Sequence, residues 1–317
     1  AQSAPFVLKI FAAVGVVVAH GFEIPGPLNL PRKGPIYYVK ASGYKQSLQS
    51  RALVYAYALS VSEENASGGT IVTAPTCGSC GVLPAVLYHL AKGHKFSDTR
   101  ILHALATAGI FGNVVKTNAS ISGADVGCQG EVGVACAMAS AAACQLFGGS
   151  PSQIEYAAEM GLEHHLGMTC DPVCGLVQIP CIERNAFAAT RALDANLYAS
   201  FSDGTHTVSF DRVVKVMKQT GHDLPSLYKE TSEGGLARAY EMHLKHKKEN
   251  KKITRSVMEL FLSKTGNDME LITQELEKLL CYTMEKDIIE AEDVDGNIPY
   301  DTGSSGEKVT GLLFDVS

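Results

Sequence analysis

Three of the nine cysteines in this chain stand in settings suited to holding metal. Cys128 lies in TNASISGADVGCQGEVG (117–133), Cys170 in EHHLGMTCDP (163–172) and Cys181 in IPCIERN (179–185). Each has glycine or proline close by instead of a long apolar run, so its sulfur can sit on irregular, open backbone. Three thiolates can hold three corners of a cubane iron–sulfur cluster and leave the fourth iron free. A free iron is a Lewis acid able to grip a substrate oxygen. A rival set exists. Cys77 and Cys80 form a C-x-x-C pair and Cys170 with Cys174 a C-x-x-x-C pair, and two such pairs can make a zinc site or a four-thiolate cluster. The C-x-x-C pair sits in a Gly/Ser turn entering a helix, where a helix N-terminus lowers a thiol pKa. Spacing alone does not choose between the two sets.

Helical elements must carry these loops. A helical pattern spans 46–62 and is ended by Asn65 and the pair Gly68 and Gly69. Residues 70–76 are short, apolar and β-branched, then break into CGSCG (77–81), after which a helical pattern resumes at Val82. Residues 98–115 read as a helix with Asp98 as its N-cap. The run 130–147 is almost all small and apolar, which predicts a core helix. Ser150 and Pro151 open the next helix with a capping hydroxyl and a proline at the first helical position, and it runs to His165. Another follows Pro180 to Ala199. Residues 22–45, punctuated by Pro25, Pro27, Pro31 and Pro35, read as an extended loop. The stretch 243–252 is strongly basic, 253–290 reads as two charged amphipathic helices, and 293–317 as irregular. No internal repeat is present. The expected fold is all-α: a mostly helical single large domain with irregular cysteine-bearing loops. Residues 1–59 would lead into it, 60–240 would form its cysteine-bearing core, and 241–317 a charged helical extension with an irregular tail.

Composition narrows the class. The chain has 317 residues, 46% of them hydrophobic, which suits a globular protein. A formal charge of −6 argues against a nucleic-acid surface, which needs clustered Lys and Arg. An odd number of cysteines cannot pair completely within the chain, and Cys136 and Cys144 lie in alanine-rich helical sequence, where a buried thiol is the ordinary outcome. A reducing cytoplasm is therefore expected. The apolar run 6–19 lacks a basic leader, contains Lys9 and is shorter than the ~20 residues of a membrane span, so it reads as a buried helix or strand, with no membrane partner. The chain begins at Ala1 without Met, which fits a processed or truncated product.

The three cysteine blocks, together with Asn65 in EEN (63–65), TAPT (73–76), LVQ (176–178) and YKETS (228–232), resemble the α-domain of the bacterial iron–sulfur L-serine dehydratases. The resemblance runs from about Ser60 to Ala237 and is near-continuous at 117–135 and 159–185. It implies a helical domain that binds a [4Fe-4S] cluster through three cysteines, which correspond to Cys128, Cys170 and Cys181. It also implies that Cys77, Cys80 and Cys174 are not cluster ligands. The implied reaction removes the Cα proton and the β-hydroxyl of L-serine and ends in pyruvate and ammonia, as in serine catabolism. Gripping the hydroxyl and one carboxylate oxygen at the open iron would polarise the C–O bond. No lysine aldimine is required, so pyridoxal phosphate is not implied.

Two groups are candidates for the base. His164 matches the family histidine in Glu-His-x-Leu-Gly, although His165 continues the apolar stripe of its helix and His164 is as readily a structural histidine. Lys116, ahead of the Asn118–Gly123 loop, is the second, with a solvated helix end as its bland reading. Substrate-carboxylate donors are expected from Thr73, Thr76, Asn118, Ser120, Ser122 and Gly123, whose loops supply hydroxyls, an amide and backbone N–H groups, although loop Ser and Thr are often only turn-makers. Glu131, Glu163, Asp171, Glu183 and Arg184 are expected to brace the cysteine loops.

The chain departs from the family pattern twice. Single-chain members carry a β-domain of about 150 residues ahead of the α-domain and others encode it as a subunit, so a β-domain or β-subunit partner is expected here. A homo-oligomer is expected as well. Several members end in a tail cysteine that reaches the free iron, whereas this chain continues past Ala237 with Cys281 as its one cysteine, so such blocking is expected to be absent or altered. Two alternatives share the cysteines: a related lyase acting on threonine or cysteine, and a zinc-stabilised non-catalytic binding subunit using Cys77, Cys80, Cys170 and Cys174.

Overall fold

The computed structural model describes residues 24, 28, 30–231, 233–240, 251–266, 269–283 and 286–298. The chain divides into two compact units, one built on Pro31–Arg238 and the other on the residues that follow. The larger contains α1 (Gly34–Ala41), α2 (Gln46–Ala66), α3 (Val82–His94), α4 (Asp98–Asn118), α5 (Gly123–Val126), α6 (Val134–Leu146), α7 (Pro151–Glu163), α8 (Cys181–Phe201) and α9 (Phe210–Asp223). Residues 235–240 are also helical.

The centre of this unit is α6. Every residue of it except Gln145 is buried, as expected for a helix apolar on all sides. It packs against α3, α4, α7 and α8. Small side chains allow that density: a Cβ on Gly161 of α7 would lie 2.8 Å from the Cα of Ala137. Helix α7 starts with a reciprocal capping box between Ser150 and Gln153.

Several boundaries differ from the sequence reading. Residues 34–41 are helical rather than extended, because Pro35 falls in the first turn, where a missing N–H costs nothing. Glu63 supplies the acceptor that this helix start lacks, taking N–H groups from Lys33 (2.7 Å) and Gly34 (3.1 Å). Helix α4 is capped by Ser97, not Asp98, and extends through Asn118, which is therefore helical. Ahead of α6, residues Gln129–Gly133 form a π-helical turn rather than its first α-helical turn, a widening common at functional sites.

The smaller unit contains β1 (Lys252–Ile253), α10 (Arg255–Thr265), α11 (Met269–Tyr282), β2 (Ile288–Ile289) and α12 (Ala291–Asn297), with β1 and β2 parallel. Helix α12 occupies part of the stretch expected to be irregular. Val257, Phe261, Leu279, Ile289, Val294 and Ile298 form its core. The buried Lys264 ammonium donates to the carbonyls of Asp295 (3.2 Å) and Ile298 (3.0 Å) and pairs with the Asp295 carboxylate, holding the C-terminal end of α12. Among the described residues, no helix is long and apolar enough to cross a membrane. The apolar run 6–19, the basic stretch 243–250, the tail 299–317 and the Cys281 side chain lie outside the described residues.

Candidate metal centre

Irregular segments next to helix ends position the thiols. Cys128 follows α5 and Gly127 and leads into the π-helical turn. Cys170 lies in the loop after α7. Its N–H donates to the Tyr228 carbonyl (2.8 Å) and its carbonyl accepts from Glu230 N–H (2.6 Å), so the 228–230 segment of the YKETS block pins it on both sides. Cys181 is the first residue of α8. One turn further on, Arg184 donates to the Thr169 carbonyl (2.8 Å) and lies 3.6 Å from the Asp171 carboxylate. Asp171 also accepts from Thr169 Oγ1 (3.0 Å) and from the N–H of Leu236 (2.6 Å), which ties the Gly234–Ala237 segment to the Cys170 loop.

The sulfurs of Cys128 and Cys170 and one Glu131 oxygen all lie within 4.8 Å of one another. Glu131 Oε1 accepts from Thr76 Oγ1 (2.7 Å), and Oε2 is 4.0 Å from Cys128 Sγ. Glycines make room for this gathering. A Cβ on Gly123 would lie 2.8 Å from Cys170 Sγ and 3.0 Å from Glu131 Oε2, and one on Gly78 would lie 2.9 Å from the same oxygen. Cys181 is outside the tight group, but it is buried and within electrostatic reach of Cys128, Cys170 and Glu131.

Crowded thiols and a carboxylate compete for protons. A hydrogen bond from Cys170, helped by Arg184 and opposed by burial, lowers the pKa of Cys128. The same hydrogen bond, then burial, raises Cys170. Burial, reinforced by Cys128 and Glu131, pushes Cys181 up to about 12. Burial also raises Glu131, with Thr76 and Arg184 opposing it. A bound cation reverses this balance by stabilising every deprotonated ligand. Soft sulfur donors beside one hard oxygen donor therefore suit a metal cofactor.

Other expected site residues fall into two groups. Thr76 and Gly123 adjoin the thiols and Glu131, as above. Ser120 Oγ donates to Asp125 (2.7 Å) and accepts from the N–H of Ser122 (3.1 Å), so these serines shape the turn into α5. Thr73, Lys116, Asn118 and His164 are exposed, and none of them bonds to the thiols or Glu131 among the described residues. Asn118 donates back to the Val114 carbonyl (2.9 Å), and His164 Nδ1 is 2.9 Å from the Met160 carbonyl at the end of α7. His165, by contrast, is buried, its Nδ1 2.7 Å from the Gly161 carbonyl, and burial pushes its pKa down to about 4.

The rival zinc set is not gathered among the described residues. Cys77 is exposed, while Cys80 is fully buried with its sulfur 4.0 Å from the Val61 carbonyl. Burial pushes the Cys80 thiol up to about 12, opposite to the lowering expected at a helix start. Two residues exceed their sequence reading. Glu131 joins the donor group itself rather than bracing a loop from outside. Asn185 was not singled out, yet it accepts from Gly81 N–H (2.8 Å) and donates to the carbonyls of Gly78 (2.7 Å) and Cys181 (2.8 Å). Its position one turn after Cys181 is the signal the sequence offered.

Helix ends and irregular loops, not strands, bring two buried thiols and a carboxylate together, an arrangement compatible with a metal cofactor. Residues 18–237 match the serine dehydratase alpha chain family, and the chain belongs to that family. It is 50% identical over 237 residues to an L-serine dehydratase of Streptomyces coelicolor, covering 73% of this chain and 52% of that protein. It is 46% identical over 241 residues to L-serine dehydratase TdcG of Escherichia coli (72% and 53% covered). Identity is 49% over 219 residues to L-serine dehydratase 1 of Escherichia coli (68% and 48% covered). The chain spans about half the length of the curated relatives it matches. The family match stops at Ala237, so residues 239–317 lie beyond it.

Proposed function

We propose that this chain is the cluster-bearing part of an L-serine dehydratase, a lyase that converts L-serine to pyruvate and ammonia. The observation that carries the reading is the meeting of Cys128 and Cys170 sulfurs, with buried Cys181 in electrostatic reach, inside a chain of this family. A [4Fe-4S] cluster held by these three cysteines supplies, when bound, an open iron acting as a Lewis acid toward the serine hydroxyl. The turn through Ser120, Ser122 and Gly123, with Asn118, Thr73 and Thr76, binds and orients the substrate carboxylate through hydroxyls and backbone N–H groups. His164 takes the Cα proton through Nε2, since its Nδ1 faces the Met160 carbonyl; Lys116 is the second candidate for that role. Loss of the proton and the hydroxyl as water leaves an enamine, which tautomerises and is hydrolysed.

The other half of the relatives' length is proposed to act here as a β-domain or β-subunit partner that completes the site, in a homo-oligomer of the reducing cytoplasm. Anaerobic reconstitution with iron and sulfide, followed by pyruvate measurement on L-serine with and without that partner, tests the reading. Iron and sulfide should load only when all three cysteines are present, and pyruvate should form with the partner. Equal loading of a Cys128→Ser protein would overturn the assignment.

A further inference from the structure

A donor group tighter than the cysteine trio is gathered among the described residues. It is two sulfurs and one oxygen, from Cys128, Cys170 and Glu131. A tetrahedral divalent ion with sulfur at about 2.3 Å and oxygen at about 2.0 Å separates those two ligands by about 3.5 Å. Cys128 Sγ and Glu131 Oε2 are 4.0 Å apart, so a shift of side chains alone closes the site. The oxygen is already aimed. Thr76 Oγ1 holds Glu131 Oε1, leaving Oε2 toward the sulfurs, and Gly78 and Gly123 flank it so closely that neither position has room for a Cβ. Cys170 is held just as firmly by backbone bonds to Tyr228 and Glu230.

We infer that, in the cluster-free protein, Cys128, Cys170 and Glu131 form a mononuclear site for a divalent ion of the zinc class, with water as fourth ligand and Cys181 left out. Both thiols lose their protons to solvent as the ion binds, and no electrons are exchanged. Such an ion occupies two of the three cluster thiols, so it excludes the cluster until it is removed. The inference does not rest on the dehydratase reading, because it needs neither iron, sulfide nor serine.

Anaerobic titration of the cluster-free full chain with Co²⁺ tests it, since the intensity of sulfur-to-cobalt charge-transfer absorption reports the number of bound thiolates. The wild type should take one equivalent with a two-thiolate intensity, and zinc should displace it. Cys181→Ser should bind identically. Cys128→Ser should lose the band, and Glu131→Gln, which removes a charged ligand, should weaken binding by more than the roughly tenfold to hundredfold lost when a ligand's supporting partner is removed. Thr76→Val, which keeps every ligand, should weaken it less, and circular dichroism should show unchanged helix content in each variant. A three-thiolate intensity that drops in Cys181→Ser would overturn the inference, as would Glu131→Gln binding as tightly as the wild type or a wild type that takes up no cobalt. Cluster loading and pyruvate formation are separate measurements, so either proposal can fail while the other stands.

Discussion

Cys136 and Cys144 are as deeply buried as Cys128, Cys170 and Cys181, yet the two groups live in different chemistry. The first pair lies along the all-buried α6, with regular backbone on either side. Burial, opposed by Ser140, pushes Cys136 up to about 12 and, opposed by Ser200, raises Cys144, which leaves ordinary apolar side chains that happen to contain sulfur. The second group sits at loop and helix ends, and Cys128 and Cys170 perturb each other more than burial perturbs either. Burial does not make a ligand. Convergence of backbone that leaves the regular helix is what brings the sulfurs of Cys128 and Cys170 together with Glu131.

The sharpest way to break this contrast is to remove sulfurs from each group in turn. Serine at Cys128, Cys170 or Cys181 should abolish iron and sulfide retention. Cys136→Ala should keep it in full and cost about 1 kcal/mol of stability, read by anaerobic metal analysis and a denaturation midpoint. The scaffold comes next. Asn185→Ala leaves the buried N–H of Gly81 and the carbonyls of Gly78 and Cys181 without their partner, and should cost about 3 kcal/mol by urea denaturation while loosening cluster retention.

Burial acting on a carboxyl offers a smaller and pH-dependent version of the same comparison. Burial, opposed by the N–H groups of Lys33 and Gly34, pushes Glu63 up to about 7 from 4.5. The folded protein therefore holds this proton more tightly than the unfolded chain does, so stability falls as pH rises from about 4.5 to about 7 and levels off above. His165, lowered to about 4 from 6.5, contributes in the opposite sense, with stability gained as pH rises across that window. The two oppose each other, so the Glu63 contribution is read as the difference between wild type and Glu63→Gln. That difference should amount to roughly 3 kcal/mol across the window and level off above pH 7. The smallest effect is Lys33→Ala: its ion pair with Glu183 is exposed, and its loss should change stability by less than about 1 kcal/mol.

Much of the helical frame was legible because its signals are local. Alanine-rich sequence marked α6, and Ser150 with Pro151 marked the start of α7. Helix α1 was hidden because four prolines nearby read as breakers, whereas the one inside it stands in the only turn that tolerates proline. Cys128, Cys170 and Cys181 stood out through their flanking glycines and prolines and through family resemblance. Glu131 did not, because its place depends on Thr76, Gly78 and Gly123 folding over it from two other segments, which no local pattern records. His165 could be read as buried from its helical stripe, but only the folded chain shows His164 exposed with its Nδ1 against the Met160 carbonyl.

Asn185 has a consequence for how this sequence can change over time. Its amide is matched simultaneously to a donor at Gly81 and an acceptor at Gly78, so one inserted or deleted residue between those positions would throw both out of phase. Upstream, Gly68 is exposed and would meet nothing if it carried a Cβ, so length variation can accumulate there without reaching the sulfurs. Insertions should therefore be tolerated around residue 68 and rejected between 78 and 81.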